Sequence, residues 1–222
     1  KNNKSGKLSL VEAPIPHLDE GFVLVKNVFS AISLGTEQSS VSIAKKNLLE
    51  KAKSRPDDLK KVLNLIKKVG VIEAYKLSMD RLELPSPLGY SSSGIIVKTS
   101  PKVRKLKVGD RVATGGCGHS EYISVSENLC VKLPNNVSFS DASYTTIGSI
   151  SLQGIRQADA KIGDKILVIG LGLIGQITMK LLHSSGCKPL GIDIDQNNVD
   201  FSRRLKMSAY ERNHSELNNI MS

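Results

Sequence analysis

Along the first third of this chain, apolar residues come in short alternating runs; later they follow a helical period, and near the end they gather into continuous runs. Each rhythm predicts a different element. Between Lys7 and Ala31, Phe22-Val23-Leu24-Val25 and Val28-Phe29 read as strands set off by Pro14, Pro16 and Asp19-Glu20-Gly21. Residues 43–80 change register. Leu48, Leu49 and Ala52 precede a break at Pro56, after which Leu59, Val62, Leu63, Ile66 and Val69 recur every three or four positions. This predicts an insertion of at least two helices, with Gly70 as a stop. Strand signals return at Gly94–Lys98, Arg111–Thr114, Glu121–Val125 and Cys130–Leu133, punctuated by Ser100-Pro101, Val108-Gly109-Asp110 and Pro134-Asn135-Asn136. Regular short strands so spaced predict a barrel or sandwich. Ser140 or Asp141 is then expected to cap a helix running to about Ala158. Continuous runs at Lys165–Ile169 and up to Asp193 flank a helix-forming stretch ending near His183, and Asn197–Lys206 reads as one more helix. The remainder, from Glu211, is polar and reads as loose.

The last of these rhythms carries chemistry. Residues 165–195 read KILVIGLGLIGQITMKLLHSSGCKPLGIDID, with glycines in the spacing Gly170-x-Gly172-x-x-Gly175. The bare motif is weak, but here a strand precedes it, a helix follows, and an acid closes the next strand. Gly170 permits the tight turn, Gly172 lets backbone approach a pyrophosphate, and Gly175 lets helix pack on strand. Phosphate oxygens would sit on the backbone N–H groups of Leu173, Ile174 and their neighbours, at the positive end of the helix dipole. Asp193 is placed to accept from the ribose hydroxyls and to repel a 2′-phosphate, so NAD is the expected cofactor. A glycine-punctuated crossover that binds no dinucleotide is the alternative.

Composition narrows the class. Hydrophobic residues make up 40% of the 222, enough for a real core, while no apolar run approaches the roughly 20 residues of a membrane span. Three scattered cysteines point to reduced thiols and a cytoplasmic setting. A net charge of +10 raises nucleic-acid binding, but the surplus is diffuse lysine, partly within 45–76, without interleaved aromatics or arginine clusters. No nucleic-acid and no membrane partner is therefore expected; the basic field would instead favour phosphorylated small molecules.

Taken in order, VLVKNVFSAISLGTE, Gly89 with Gly94-Ile95-Ile96-Val97, VGDRVA, EYISV, KLP, Ser151-Leu152-Gln153-Gly154 and GDKILVIGLGLIG resemble the medium-chain dehydrogenase/reductase superfamily, the zinc alcohol dehydrogenase-like proteins. The resemblance spans nearly the whole chain. It implies an α/β protein: a GroES-like β-barrel catalytic domain over 1–156 with a helical insertion at about 43–80, then an incomplete Rossmann NAD-binding domain over 157–222. Two parallel strands are read in that last part, too few for a dinucleotide fold, so the chain is expected to be a fragment of something longer. A narrower resemblance, in SLGTE, NLLEKAKSRPDDLKKVL, LPSPLGYSSSG, ENLCVKLP and YTTIGSISLQGIRQA, is to the bi-domain oxidoreductases of bacterial surface-polysaccharide biosynthesis. That implies a further C-terminal dehydrogenase domain and a sugar or nucleotide-sugar substrate, and it is compatible with a homo-oligomer.

Zinc-dependent members place a cysteine before the Gly-Thr segment and a histidine in Gly-His-Glu. Here those positions hold Leu34 and Tyr90, with Ser91 in place of the glutamate, and the third ligand has no counterpart around Tyr144–Gly148. No metal is expected. Thr36 stands where the family relays protons through a hydroxyl, and Tyr90 could donate to a developing alkoxide; both are the candidate catalytic residues. Each could equally be local structure, Thr36 as a buried hydroxyl and Tyr90 as packing. Glu37 reads as structural, holding an arginine such as Arg156 or a backbone amide, and His119 as a solvent-facing turn residue or an acid/base. Tyr144-Thr145-Thr146 could serve the cofactor amide or its own backbone. The expected function is zinc-independent hydride transfer between NAD and a sugar-like alcohol or ketone in the cleft between the two domains; the alternative is a catalytically silent NAD-binding or assembly module.

Overall fold

A computed structural model describes residues 1–3, 5–45, 56–83 and 85–212. Leu48, Leu49 and Ala52 of the expected insertion, and the polar stretch beyond residue 212, lie outside the described residues. By its internal contacts the chain divides into two units, Lys1–Pro134 and Asn135–Ser222. The two helices after Pro134, assigned by resemblance to the catalytic domain, are thus grouped here with the second unit.

In the first unit, β1 (Phe22–Ser30), β2 (Ser91–Thr99), β3 (Arg111–Gly115), β4 (Tyr122–Ser126) and β5 (Cys130–Lys132) form a curled antiparallel sheet in the order β4-β1-β2-β3-β5. What reads as two short strands before Ala31 is one long one. Register shifts at Leu24/Val25 and Asn27/Phe29 bend it, and such bulges interrupt the alternation that marks a strand in sequence. Period-two side chains turn Val23, Val25, Ile96, Val112, Ile123 and Val125 into one buried cluster, onto which Val103, Leu106, Cys117 and Cys130 pack. Among the described residues three helices interrupt the sheet: α1 (Leu34–Lys45), α2 (Pro56–Val69) and α3 (Val71–Glu83). Gly70, at φ +84°, separates the last two as expected.

One buried charge anchors the sheet. Asp110, only 6% exposed, accepts from Lys132 Nζ at 2.6 Å and from the Lys107 backbone N–H at 2.9 Å. The Lys132 bond above all, then the Lys107 amide, hold its carboxyl below the usual carboxylate range against the opposing effect of burial.

The second unit begins with α4 (Phe139–Ala142) and α5 (Thr145–Gln157). Ser138, not Ser140 or Asp141, is the cap: its hydroxyl accepts from the Asp141 N–H at 3.0 Å, and a break at Ser143-Tyr144 splits the expected single helix. There follow β6 (Lys165–Ile169), α6 (Leu173–Ser184), β7 (Lys188–Asp193), α7 (Gln196–Arg204) and β8 (Ser208–Glu211). The strands pair in parallel in the order β6-β7-β8, so a third strand stands where two were expected. Leu171, Met179, Val199 and Ala209 form the core beneath them. The fold is α/β, a GroES-like sheet followed by the opening of a Rossmann-type domain.

Candidate active site

In the second unit, the glycine motif folds as its spacing predicts. Gly170 turns at φ +92°, a conformation costly for any side chain. Gly172 stands at the start of α6, which no side chain caps, and the first two residues of the helix, Leu173 and Ile174, are 39% and 41% exposed at its dipole end. A Cβ on Gly172 would meet no protein atom within 4 Å, whereas one on Gly175 would lie 1.9 Å from the Gly170 carbonyl oxygen. The first glycine therefore leaves room for a ligand and the second makes room for the helix.

Asp193 ends β7 beside this turn. Its Oδ2 accepts from the Leu171 N–H at 2.6 Å and Asn198 Nδ2 at 3.2 Å, and its Oδ1 from the Asp195 N–H at 2.8 Å. Partial burial raises the carboxyl pKa, but the backbone donors of Asp195 and Leu171, helped by Asn198, outweigh it and leave the acid below its ordinary value. A concavity lined by Ile169, Gly170, Ile192, Asp193, Ile194 and Arg212 opens at these strand ends. Sequence reasoning missed the clamp that holds the turn: Gln176 Nε2 donates to the Leu171 carbonyl at 2.9 Å and to Ser202 Oγ at 2.7 Å, tying the glycine loop to α7. It missed Arg212 as well, whose N–H closes on the Asp193 carbonyl at 2.8 Å.

In the first unit, the candidate catalytic residues Thr36 and Tyr90 are sequence neighbours of Glu37 and Gly89, which His119 touches. Thr36, in the first turn of α1, is exposed and its Oγ1 accepts from Ser33 Oγ at 3.3 Å; the hydroxyl is locally bonded, though not buried. Tyr90 is half-buried immediately before β2. Their neighbours meet. Glu37 accepts from the Ser33 N–H at 3.0 Å and lies 3.2 Å from His119 Nε2, while the opposite ring nitrogen, Nδ1, is 2.8 Å from Ser30 Oγ. The His119 N–H donates to the Leu88 carbonyl at 2.6 Å. Its ring lies so close over Gly89 (φ +90°) that a Cβ there would approach within 2.6 Å. Glu37 thus holds a backbone amide, as expected, and also a histidine 82 residues away.

Leu34, at the position of a zinc-binding cysteine, offers no donor atom and its side chain is 72% exposed. Among the described residues no group of three or more His, Cys, Asp or Glu is disposed to hold a metal. The thiols do not compensate: burial raises Cys117 and pushes Cys130 up to about 12. Thr145 Oγ1 donates to the Ala142 carbonyl at 2.8 Å, so that hydroxyl serves its own backbone. No described helix is long and apolar enough to cross a membrane.

Residues 56–144 match the alcohol dehydrogenase GroES-like domain family. The chain is 31% identical over 128 residues to (R,R)-butanediol dehydrogenase of Bacillus subtilis, covering 46% of this chain and 37% of that protein. It is 30% identical over 148 residues to L-arabinitol 4-dehydrogenase of Talaromyces emersonii, covering 53% and 38%. It therefore matches less than two fifths of either relative's length. The crystal structure of 2R,3R-butanediol dehydrogenase from Bacillus subtilis superposes with a TM-score of 0.70 over 98% of this chain and 64% of that one, at 17% identity.

Proposed function

We infer that this chain, a member of the medium-chain dehydrogenase/reductase superfamily, serves an NAD-dependent oxidoreductase acting on the CH–OH group of a polar, sugar-like alcohol without zinc. The observation that carries the reading is the pairing of an uncapped, glycine-built helix start with an ionised Asp193 at the end of the neighbouring strand. The residues present fit a dinucleotide. Gly170, Gly172 and Gly175 would form the turn against its pyrophosphate, with the amides of Leu173 and Ile174 donating to phosphate oxygens. Asp193, pinned by Leu171, Asn198 and Asp195, would present fixed negative charge to the adenosine ribose, which favours hydroxyls over a 2′-phosphate. When bound, the nicotinamide supplies the hydride acceptor or donor.

The zinc chemistry of the family does not fit these residues, because a leucine and a tyrosine replace two of its ligands, and no step is assigned to a metal. In its place, the hydroxyls of Thr36 and Tyr90 hold the substrate oxygen as hydrogen-bond partners. The names of the relatives, butanediol and arabinitol dehydrogenases, support a polyol-like substrate. The motifs shared with the polysaccharide oxidoreductases support a sugar or nucleotide-sugar version of it, acted on in the cytoplasm by a protein with a further dehydrogenase domain.

Fluorescence titration of the intact protein with NADH tests the cofactor assignment. Saturable binding is expected, with NADPH weaker. Asp193→Ala should weaken NADH by about tenfold, the loss of one hydrogen bond to a charged group, and should narrow the preference over NADPH. Absence of binding would overturn the reading. Wild-type preference for NADPH would overturn the NAD assignment and transfer the selecting role to Arg212.

A further inference from the structure

We propose that Ser30, His119 and Glu37 form a proton relay serving the alcohol oxidation inferred above, with the Ser30 hydroxyl as the group that takes the substrate proton. The proposal rests on that reading and supplies what it lacks, a route for the hydroxyl proton.

The geometry assigns each part. Glu37 is nearly enclosed, its side chain 12% exposed, and the Ser33 N–H holds one of its oxygens. A carboxylate only accepts, so the Nε2 facing it carries the ring proton. In the neutral ring Nδ1 is then the acceptor, and at 2.8 Å it takes the hydroxyl hydrogen of Ser30. That bond leaves the serine oxygen free to accept a second hydrogen from an alcohol. Ser30 is exposed at the end of β1, and the His119 side chain is 28% exposed, so the chain of donors opens to solvent at one end and is most enclosed at the acid.

The imidazole is held on three sides. Its Nδ1 meets Ser30, its Nε2 meets Glu37, and its face rests on Gly89, where no side chain fits, while the His119 backbone N–H is fixed to the Leu88 carbonyl. Loop residues placed this firmly, on partners 82 and 89 positions away, are pre-organised for proton transfer.

The step balances. A bound nicotinamide would take the hydride from the carbinol carbon, and this chain's residues take the proton: the substrate O–H gives it to Ser30 Oγ while the Ser30 hydrogen passes to His119 Nδ1. The products are ketone, NADH and an imidazolium stabilised by Glu37, which then releases its proton to water. In reduction the same chain runs backwards. His119 and Ser30 act catalytically; Glu37 is a positioning residue.

The test measures NAD⁺ reduction by the intact protein with (2R,3R)-butanediol, L-arabinitol and xylitol, alongside NADH titration. Ser30→Ala and His119→Ala should each lower kcat by about 100-fold, the usual contribution of a positioned acid/base, with KM and NADH affinity within twofold of wild type. Added imidazole should restore part of the His119→Ala rate. Glu37→Gln should lower kcat by about tenfold and Glu37→Asp should recover most of it, which a purely structural acid would not do. Ser30→Ala removes only an exposed hydroxyl, so a folding failure of the His119 variant leaves the relay testable. If wild type oxidises the alcohols and the Ser30 and His119 variants match it, the relay falls alone. If wild type binds NADH but oxidises none of them, the oxidoreductase reading falls and takes the relay with it.

Discussion

Gly175→Ala sharply weakens NADH binding and lowers the thermal midpoint of the second unit. The new methyl carbon would lie 1.9 Å from the Gly170 oxygen and 2.9 Å from its carbonyl carbon. Both atoms are backbone, so no side-chain rotation relieves the overlap. Relief requires α6 to withdraw from the turn, but Met179 and Leu182 lock that helix into the core at 0% and 1% exposure. Overpacking of this kind costs about 3 kcal/mol, the upper end of the usual range, and it displaces the amides from the phosphates. Thermal unfolding followed with NADH titration should show both losses, with affinity down by at least about 100-fold for a 3 kcal/mol displacement. Gly172→Ala is the informative contrast. Its Cβ meets no protein atom within 4 Å, so stability should be retained while NADH is still weakened, because the methyl occupies space left for the pyrophosphate. Equal affinity in Gly172→Ala and wild type would mean that no ligand approaches that backbone.

Asp110→Ala loosens the antiparallel sheet and removes part of its acid sensitivity. The carboxylate joins Lys132 of β5 to the Lys107 turn ahead of β3, and losing these charged hydrogen bonds costs about 2 kcal/mol. The direction with pH follows from linkage. Asp110 has a folded-state pKa below its unfolded value, so below about pH 5 the unfolded chain binds the extra proton. Its contribution is fully present above the ordinary carboxylate value near 4 and disappears as pH falls through the folded value. Denaturant midpoints of wild type and Asp110→Ala should therefore differ at pH 7 and converge on acidification. A gap that stayed constant down to pH 3 would show that the side chain acts through packing.

The parts of this molecule that are local in sequence were the parts legible there. Gly170, Gly172, Gly175 and Asp193 occupy one short crossover whose spacing is a direct consequence of its geometry, and the barrel strands announce themselves by alternation. Features built by distance were not legible. His119 meets Glu37 and Ser30 only because the sheet returns its loop to the end of β1, and no local pattern encodes an 82-residue separation. Strand β8 was missed because Ser208–Glu211 carries one buried apolar residue, Ala209, too little for a period to show. The helix start at Ser138 was misplaced because Ser138, Ser140 and Asp141 have nearly equal capping propensity, and only the backbone geometry distinguishes them.

The late strand has a bearing on biosynthesis. β7 is flanked on one side by β6 and on the other by β8, and the Arg212 amide closes on the acid's own carbonyl. Chains fold from the N-terminus as they leave the ribosome. The antiparallel sheet can therefore assemble early, whereas Asp193 gains its outer neighbour only after residue 212 has emerged. A polypeptide stalled before that point would carry the glycine turn with its ribose-side strand still unpaired along one edge.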